Sequence, residues 1–225
     1  NLLDHPNVIY IAKSNPNAIH HWSSGSEVGI IHKANVEGKI PCKEDFFDEN
    51  PDIQIIALPL RPGFVEGFVD DGIVLLPILN IPSSVGYIEL NSNNPFDQPK
   101  IHLNYFEKSE DLYRMISSLK LCRELLKQPP LSTVYNVNEI EINERSTNGD
   151  DISDEDWEKF VLEMSTTTFH PSGTVKSAPE SKDGVVNHRL QVYGTKNLRV
   201  VDASVFPYIP SGNTNAPTAM VAWKA

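Results

Sequence analysis

The sequence predicts an α+β domain, a sheet with helices on one side, because runs of strand character come first and two helical runs follow. Three observations carry this. Residues 52–58 and 73–79 are apolar at nearly every position, the pattern of strands buried on both faces. From Asp111 to Lys127 the period changes: Leu112, Met115, Ile116, Leu119, Cys122, Leu125 and Leu126 recur at spacings of three and four, which is helical. The composition, 40% hydrophobic and 22% charged with 12 Gly and 17 Pro in 225 residues, is that of a globular chain able to bury a substantial core.

Taken in order, residues 8–12 follow Pro6 and read as a strand. Residues 14–26 are polar, hold His20 and His21, and read as a solvated loop. Residues 28–31 form a short β-prone run, and Glu37-Gly38-Lys39 reads as a turn. After the two apolar strands, residues 87–90 alternate and meet the Asn- and Pro-rich turn at 91–95. Residues 101–105 alternate again. Ser109 is the expected N-cap of the first helix, Glu110 and Asp111 suit its positive end, and Pro129-Pro130 terminate it. Residues 143–152 are a polar loop. Ser153 and Asp156 have capping-box spacing, and Trp157, Phe160, Val161 and Met164 then mark one helical face, with the helix giving way near Ser165.

Charge and cysteine usage narrow the function classes. Lys plus Arg come to 19 and Asp plus Glu to 30, a formal net charge of -11. That balance argues against nucleic acid or an anionic membrane as the main partner. No apolar stretch approaches the ~18 residues of a spanning helix. Two cysteines, Cys42 and Cys122, are too few for a disulfide framework or a structural zinc site, and no metal site is expected. The two read as unpaired thiols, with a single bridge open as the alternative.

The last sixty residues are the most informative. Pro171 biases His170 toward an extended backbone, and Gly173 permits a tight turn. Residues 197–204 read as a strand ending in the small, polar Asp202-Ala203-Ser204. The loop from Ser211 to Ala216 leads into a helix with Pro217 at its start, where proline is favoured. A helix start offers free N–H groups and partial positive charge to an electron-rich ligand.

The order His170-Pro171-Ser172-Gly173-Thr174, Gly184-Val185-Val186, Val192-Tyr193-Gly194, Asn197-Leu198-Arg199-Val200-Val201-Asp202-Ala203-Ser204-Val205-Phe206-Pro207, Ser211-Gly212-Asn213-Thr214-Asn215-Ala216-Pro217 closely resembles the C-terminal part of the glucose-methanol-choline (GMC) family of FAD-dependent oxidoreductases. Asn1-Leu2-Leu3-Asp4-His5-Pro6 resembles the family's mid-chain Asn-Leu-x-Asp-His-Pro, Pro51-Asp52-Ile53-Gln54 its Pro-Asp-x-Gln strand, and Ser84-Val85-Gly86 its Ser-Arg-Gly strand with Val in place of Arg.

The resemblance implies an antiparallel substrate-domain sheet with helices on one face over residues 7–165. It also implies segments 1–6 and 166–225 that belong to the Rossmann-like FAD-binding domain. It implies oxidation of an alcohol, with the hydride passing to flavin N5 and His170 taking the hydroxyl proton. Asn213 falls on the family's second active-site position, where an amide can hydrogen-bond the substrate oxygen but cannot act as a base. Asp202 and Ala203 fall on the segment along the cofactor's ribityl-pyrophosphate, and Asn215 and Ala216 on the helix start that faces the flavin. His5 reads as a packed or capping residue. The same scaffold also hosts hydroxynitrile lyases and flavin photoenzymes, and a non-catalytic subunit is the reading from another class.

Three departures accompany the resemblance. Val175-Lys176-Ser177-Ala178-Pro179 replaces the usual sequence after the catalytic loop, and Asn187 stands where Asp is common. No Gly-x-Gly-x-x-Gly occurs anywhere in the chain. With a start at Asn1 and an end at Ala225 inside a helix-like run, the expectation is the C-terminal portion of a longer protein. Its partners would be an alcohol and the FAD-binding half that carries the dinucleotide fingerprint; alone, this portion is expected to hold FAD poorly and to be inactive.

Overall fold

The computed structural model describes residues 1–14, 28–34, 36, 50–60, 72–129, 131–133, 138–139 and 152–225. Its elements are β1 (Pro6–Val8), β2 (Tyr10–Lys13), β3 (Val28–His32), β4 (Ile53–Leu60), β5 (Gly72–Leu79), β6 (Tyr87–Glu89), β7 (Lys100–His102), α1 (Ser109–Leu126), β8 (Asn138–Glu139), α2 (Asp154–Met164), β9 (Ser165–Thr167) and α3 (Asn215–Lys224). The chain divides into two compact units. Asn1–Pro6, Asn80–Asp111 and Thr167–Ala225 form the first; Asn7–Leu79 and Leu112–Thr166 form the second. His20, His21, the turn at Glu37, Cys42, Pro130, and all but Ser14 and Ile152 of the loops expected at 14–26 and 143–152 lie outside the described residues.

The second unit is built on a seven-stranded sheet in the order β3-β4-β5-β1-β9, with β2 beside β5 and β8 beside β2. The pairings of β3 with β4, β4 with β5 and β2 with β5 are antiparallel. Register sorts the side chains by face. Tyr10 lies opposite Leu75, which lies opposite Ala57; Ile55 and Ile53 share that face. On it Tyr10, Ile53, Ile55, Leu75 and Leu79 are all buried. Tyr10 meets Trp157 and Phe160 of α2 at ring-centroid separations of 6.4 and 6.1 Å, so α2 covers this face.

The opposite face is thinner. Ile11 and Val74 are buried there with Ile9, Leu58 and Leu76 packed only partly against them. This corrects one expectation. The central strand β5 is buried on both faces, but β4 is buried on one, with Gln54, Ile56 and Leu58 half-buried on the other. An apolar run predicts burial, but a strand's place in the sheet decides how many faces receive it.

Two helix boundaries follow the sequence closely. Ser153 caps α2 through its side chain, which accepts from the Asp156 N–H, and Ser165 ends the helix in extended backbone. The reciprocal arm of the capping box is redirected: the Asp156 carboxylate accepts from the Ser153 hydroxyl at 2.7 Å. Helix α1 begins at Ser109 itself, so that residue is helical and not the cap. Its apolar stripe is buried at Met115, Leu119 and Cys122, and burial pushes the Cys122 thiol up to about 12. Lys120 ties α1 to Asp154 of α2 at 2.8 Å. Residues 8–12 are two strands, not one; β1 and β2 are separated at Ile9, whose N–H turns to the Met164 carbonyl.

The first unit has little regular structure. β6 and β7 form a separate antiparallel pair. The strand expected at 101–105 ends at His102, and Asn104 and Phe106 have φ of 52° and 59°, which extended chain does not allow. The strand expected at 197–204 is absent. One antiparallel bridge, Gln191 to Arg199, is all the pairing it makes, and Ala203–Val205 turn into a short 3-10 helix. A strand needs a continuous ladder of partners, and none of the described residues supplies one. Helix α3 starts two residues before Pro217, which sits in its first turn, where its missing N–H costs no bond. A small core of Val186, Val205 and Phe206 holds this segment together.

The two local departures have clear structural roles. Val175 and Ser177 donate their N–H groups to the Ser204 and Val205 carbonyls, so the unusual 175–179 segment is stitched in register to the 3-10 turn. The Asn187 side-chain oxygen accepts from the N–H groups of Arg189 and Gln191 at 2.9 and 3.1 Å, an acceptor role that Asp would also fill. Its amide then reaches the Gln191 side chain at 3.1 Å, a contact Asp cannot donate. No helix of the described residues is long and apolar enough to cross a membrane.

Candidate active site

All the polar groups of the site belong to the first unit. The N-terminal segment lies antiparallel to the His170 loop: Leu3 and Ser172 exchange both backbone hydrogen bonds, at 2.9 and 2.8 Å, and Thr168 N–H donates to the His5 carbonyl at 3.0 Å. Gly173 permits the next turn. Its φ is 80°, and a Cβ there would stand 2.9 Å from Leu3 Cδ1. Phe169, with φ of 61°, is held left-handed by its N–H bond to Thr167 Oγ1 at 2.8 Å. His170 is therefore set between a left-handed residue and a proline.

Asp4 is the hub. It is 7% exposed and accepts four hydrogen bonds. The His5 N–H and the His170 N–H both reach Oδ1, at 2.9 and 3.0 Å. The Thr167 hydroxyl reaches Oδ2 at 2.6 Å, and the Tyr105 phenol donates to the same oxygen. Burial and this neighbouring carboxylate hold the Tyr105 phenol well above its ordinary range, so it remains a donor. One buried carboxylate thus fixes the backbone at both histidines.

The two histidines meet directly. His5 Nδ1 and His170 Nδ1 are 2.9 Å apart, with the rings edge-on at 90°. His5 is completely buried. Burial first, then the His170 ring, push it down from 6.5 to about 4 against the opposing pull of Asp4 and the backbone of Asn80 and Pro210. It is neutral at physiological pH. Burial also lowers His170, opposed by Asp4. The second ring nitrogen of His170, Nε2, faces the Asn213 amide nitrogen at 3.4 Å.

The expected site residues are thus brought together in part. His170 and Asn213 face each other across 43 positions of chain. Asp202 and Ala203 adjoin the same loop, because Gly173 N–H donates to the Ala203 carbonyl at 3.3 Å. Asp202 is exposed and also caps the 3-10 turn, accepting from Ser204 N–H at 2.8 Å. Asn215 and Ala216 are exposed at the start of α3, two and three positions after Asn213. Thr214 precedes that helix without a side-chain cap. Sequence reasoning missed Asp4, Tyr105 and Thr167, and read His5 as a packed or capping residue. The signal available was the adjacency Asp4-His5, two polar residues in a motif of the family resemblance. Among the described residues, no three His, Cys, Asp or Glu side chains form a metal-holding group.

Comparison with known proteins identifies the family. The family model described as GMC oxidoreductase matches residues 82–222. The chain is 42% identical over 129 residues to a GMC oxidoreductase family protein of Malassezia sympodialis, covering 57% of this chain and 20% of that protein. It is 34% identical over 204 residues to an oxygen-dependent choline dehydrogenase of Pseudomonas fluorescens, covering 89% of this chain and 34% of that one. The chain therefore spans about a third or less of these curated relatives. In fold it superposes on a variant of formate oxidase of Aspergillus oryzae with a TM-score of 0.80 at 23% identity, over all of this chain and 45% of that one. A fungal aryl-alcohol oxidase gives 0.76 at 20% identity, again over the whole chain and 46% of the neighbour. By motif order, fold and family match, the chain belongs to the GMC oxidoreductases.

Proposed function

We propose that this chain is the catalytic portion of an FAD-dependent enzyme that oxidises an alcohol, with His170 as the base. The observation that carries the reading is the pairing of His170 Nε2 with the Asn213 amide at 3.4 Å, on a loop fixed from behind by Asp4. A base must reach the hydroxyl proton and titrate near working pH, as histidine does. Burial holds His170 below its ordinary value, which keeps the ring neutral and able to accept a proton. Asn213 has no basic nitrogen; its amide donates to the substrate oxygen and steadies the negative charge that develops as the proton leaves.

The residues present suit FAD at this site. Helix α3 begins without a side-chain cap, so the N–H groups of Asn215 and Ala216 are not taken by Thr214, whose carbonyl instead accepts the Thr218 hydroxyl at 2.6 Å. A helix start of that kind favours an electron-rich ring. Asn215 and Ala216 would hold the flavin end, and Asp202 and Ala203 the ribityl-pyrophosphate. FAD, when bound, supplies the hydride acceptor. In this reading residues 1–6 and 166–225 complete the cofactor-binding domain, residues 7–165 form the substrate domain, and the dinucleotide fingerprint comes from the part of the protein that precedes Asn1 in family order.

The test is His170→Ala in the FAD-loaded enzyme. Turnover of its alcohol should fall by ~10²-fold or more with flavin absorbance retained. Undiminished alcohol oxidation in that variant would sink the base assignment.

A further inference from the structure

We infer that His5 is a positioning residue that selects the tautomer of His170, leaving His170 Nε2 free to accept a proton. The inference rests on the reading of His170 as base and goes beyond it. Two contacts determine the proton positions. The Asn213 amide nitrogen faces His170 Nε2 at 3.4 Å, and an amide nitrogen only donates, so Nε2 presents its lone pair. A neutral imidazole with a bare Nε2 carries its proton on Nδ1. That proton points at His5 Nδ1, 2.9 Å away, which must then be the acceptor.

His5 can serve as that acceptor because it stays neutral. It is completely buried, and burial and the adjacent His170 ring hold it far below its ordinary value. Its own proton then sits on Nε2. That atom is buried without a hydrogen bond of full geometry, and the nearby backbone of Asn80 and Pro210 favours a proton on the ring. A buried donor without a full partner costs about 1–3 kcal/mol, so packing alone does not account for a histidine here. The His170 contact does: an apolar side chain would leave His170 Nδ1 without an acceptor, and the ring would turn to the Nε2–H form that free histidine prefers. Asp4 completes the device by holding both backbones, so the two rings start from fixed positions. The arrangement places a neutral imidazole where other acid–base sites place a carboxylate. His170 is then steered to the right tautomer without a negative charge behind it.

The test is 15N NMR of histidine-labelled, FAD-loaded enzyme, with kinetics on the same samples. In the wild type the His170 shifts should report Nδ1–H, and Nε2–H there would overturn the inference without any variant. In His5→Phe, His170 should move to Nε2–H and kcat should fall ~10²-fold with little change in KM. His5→Gln, whose amide oxygen can accept the Nδ1 proton, should restore the wild-type tautomer and about tenfold of the lost kcat. A His5→Phe enzyme that keeps Nδ1–H, or a His5→Gln enzyme no better than His5→Phe, would show a packing role only. Should His5→Phe not fold, the wild-type spectrum and His5→Gln still decide. The His170→Ala variant separates the two readings: lost turnover there, with Nδ1–H in both the wild type and His5→Phe, removes the role of His5 and leaves the base reading intact.

Discussion

The two units are stabilised in different ways. In the second, β2, β4 and β5 pair residue by residue, and Tyr10, Trp157 and Phe160 close one face with aromatic contacts. In the first, apart from the short ladder of β6 and β7, pairing is reduced to single bridges such as Leu2 to Gly86 and Leu3 to Ser172. Order around the histidines comes from one buried carboxylate with four donors. A ladder and an apolar face tolerate substitution of many residues because each contributes area. A polar hub concentrates the geometry in a few groups and is sensitive to their protonation. The candidate chemistry lies in the unit organised by the hub, where directional bonds fix ring orientation as apolar packing does not.

The largest effect should come from the apolar unit. Trp157→Ala removes a side chain that is 1% exposed and packed against Tyr10 and Phe160, and should cost about 3–5 kcal/mol in urea unfolding. The loss should be the same at pH 7 and pH 5; a strongly pH-dependent loss would mean that the two kinds of stabilisation are not separate.

The next concerns acid. The folded protein holds His5 at about 4, whereas the unfolded chain titrates at 6.5. Between those values the unfolded state binds the proton and the folded state does not, so stability falls as pH drops from 6.5 toward 4 and is fully present above 6.5. The total is on the order of 3 kcal/mol. His5→Gln should flatten that part of the stability curve, and an unchanged acid slope in the variant would break the comparison at its polar end.

The smallest is Thr167→Val. It keeps the shape but removes the hydroxyl that donates to Asp4 at 2.6 Å and accepts from Phe169 N–H. A cost of about 2 kcal/mol is expected by thermal unfolding, with reduced turnover as His170 loses its fixed backbone. No change in either would mean the hub is redundant at this corner.

Legibility in the sequence follows the same division. The strands β3, β4 and β5 and the helices α1 and α2 were readable because burial on a face imposes a period of two or 3.6. The cap at Ser153 was readable because it is local. In the first unit His170, Asn213 and the positions proposed for the flavin all came from the family resemblance. The strand expected at 197–204 failed because β-prone residues such as Val200 and Val201 do not form a strand without partners. Asp4, Tyr105 and Thr167 left no periodic or spacing signal, since they come from segments 101 and 163 positions apart in pairs with Asp4.

By itself the sequence determined the family and the helices and strands whose apolar pattern repeats. Tertiary structure decided which face of β4 is buried, that Asp4 rather than local backbone fixes the His170 loop, and that the Nδ1 atoms of His5 and His170 meet at 2.9 Å. The physical reason is range. Periodicity and capping are properties of neighbouring residues, whereas a hydrogen bond between positions 165 residues apart exists only once the chain has closed on itself.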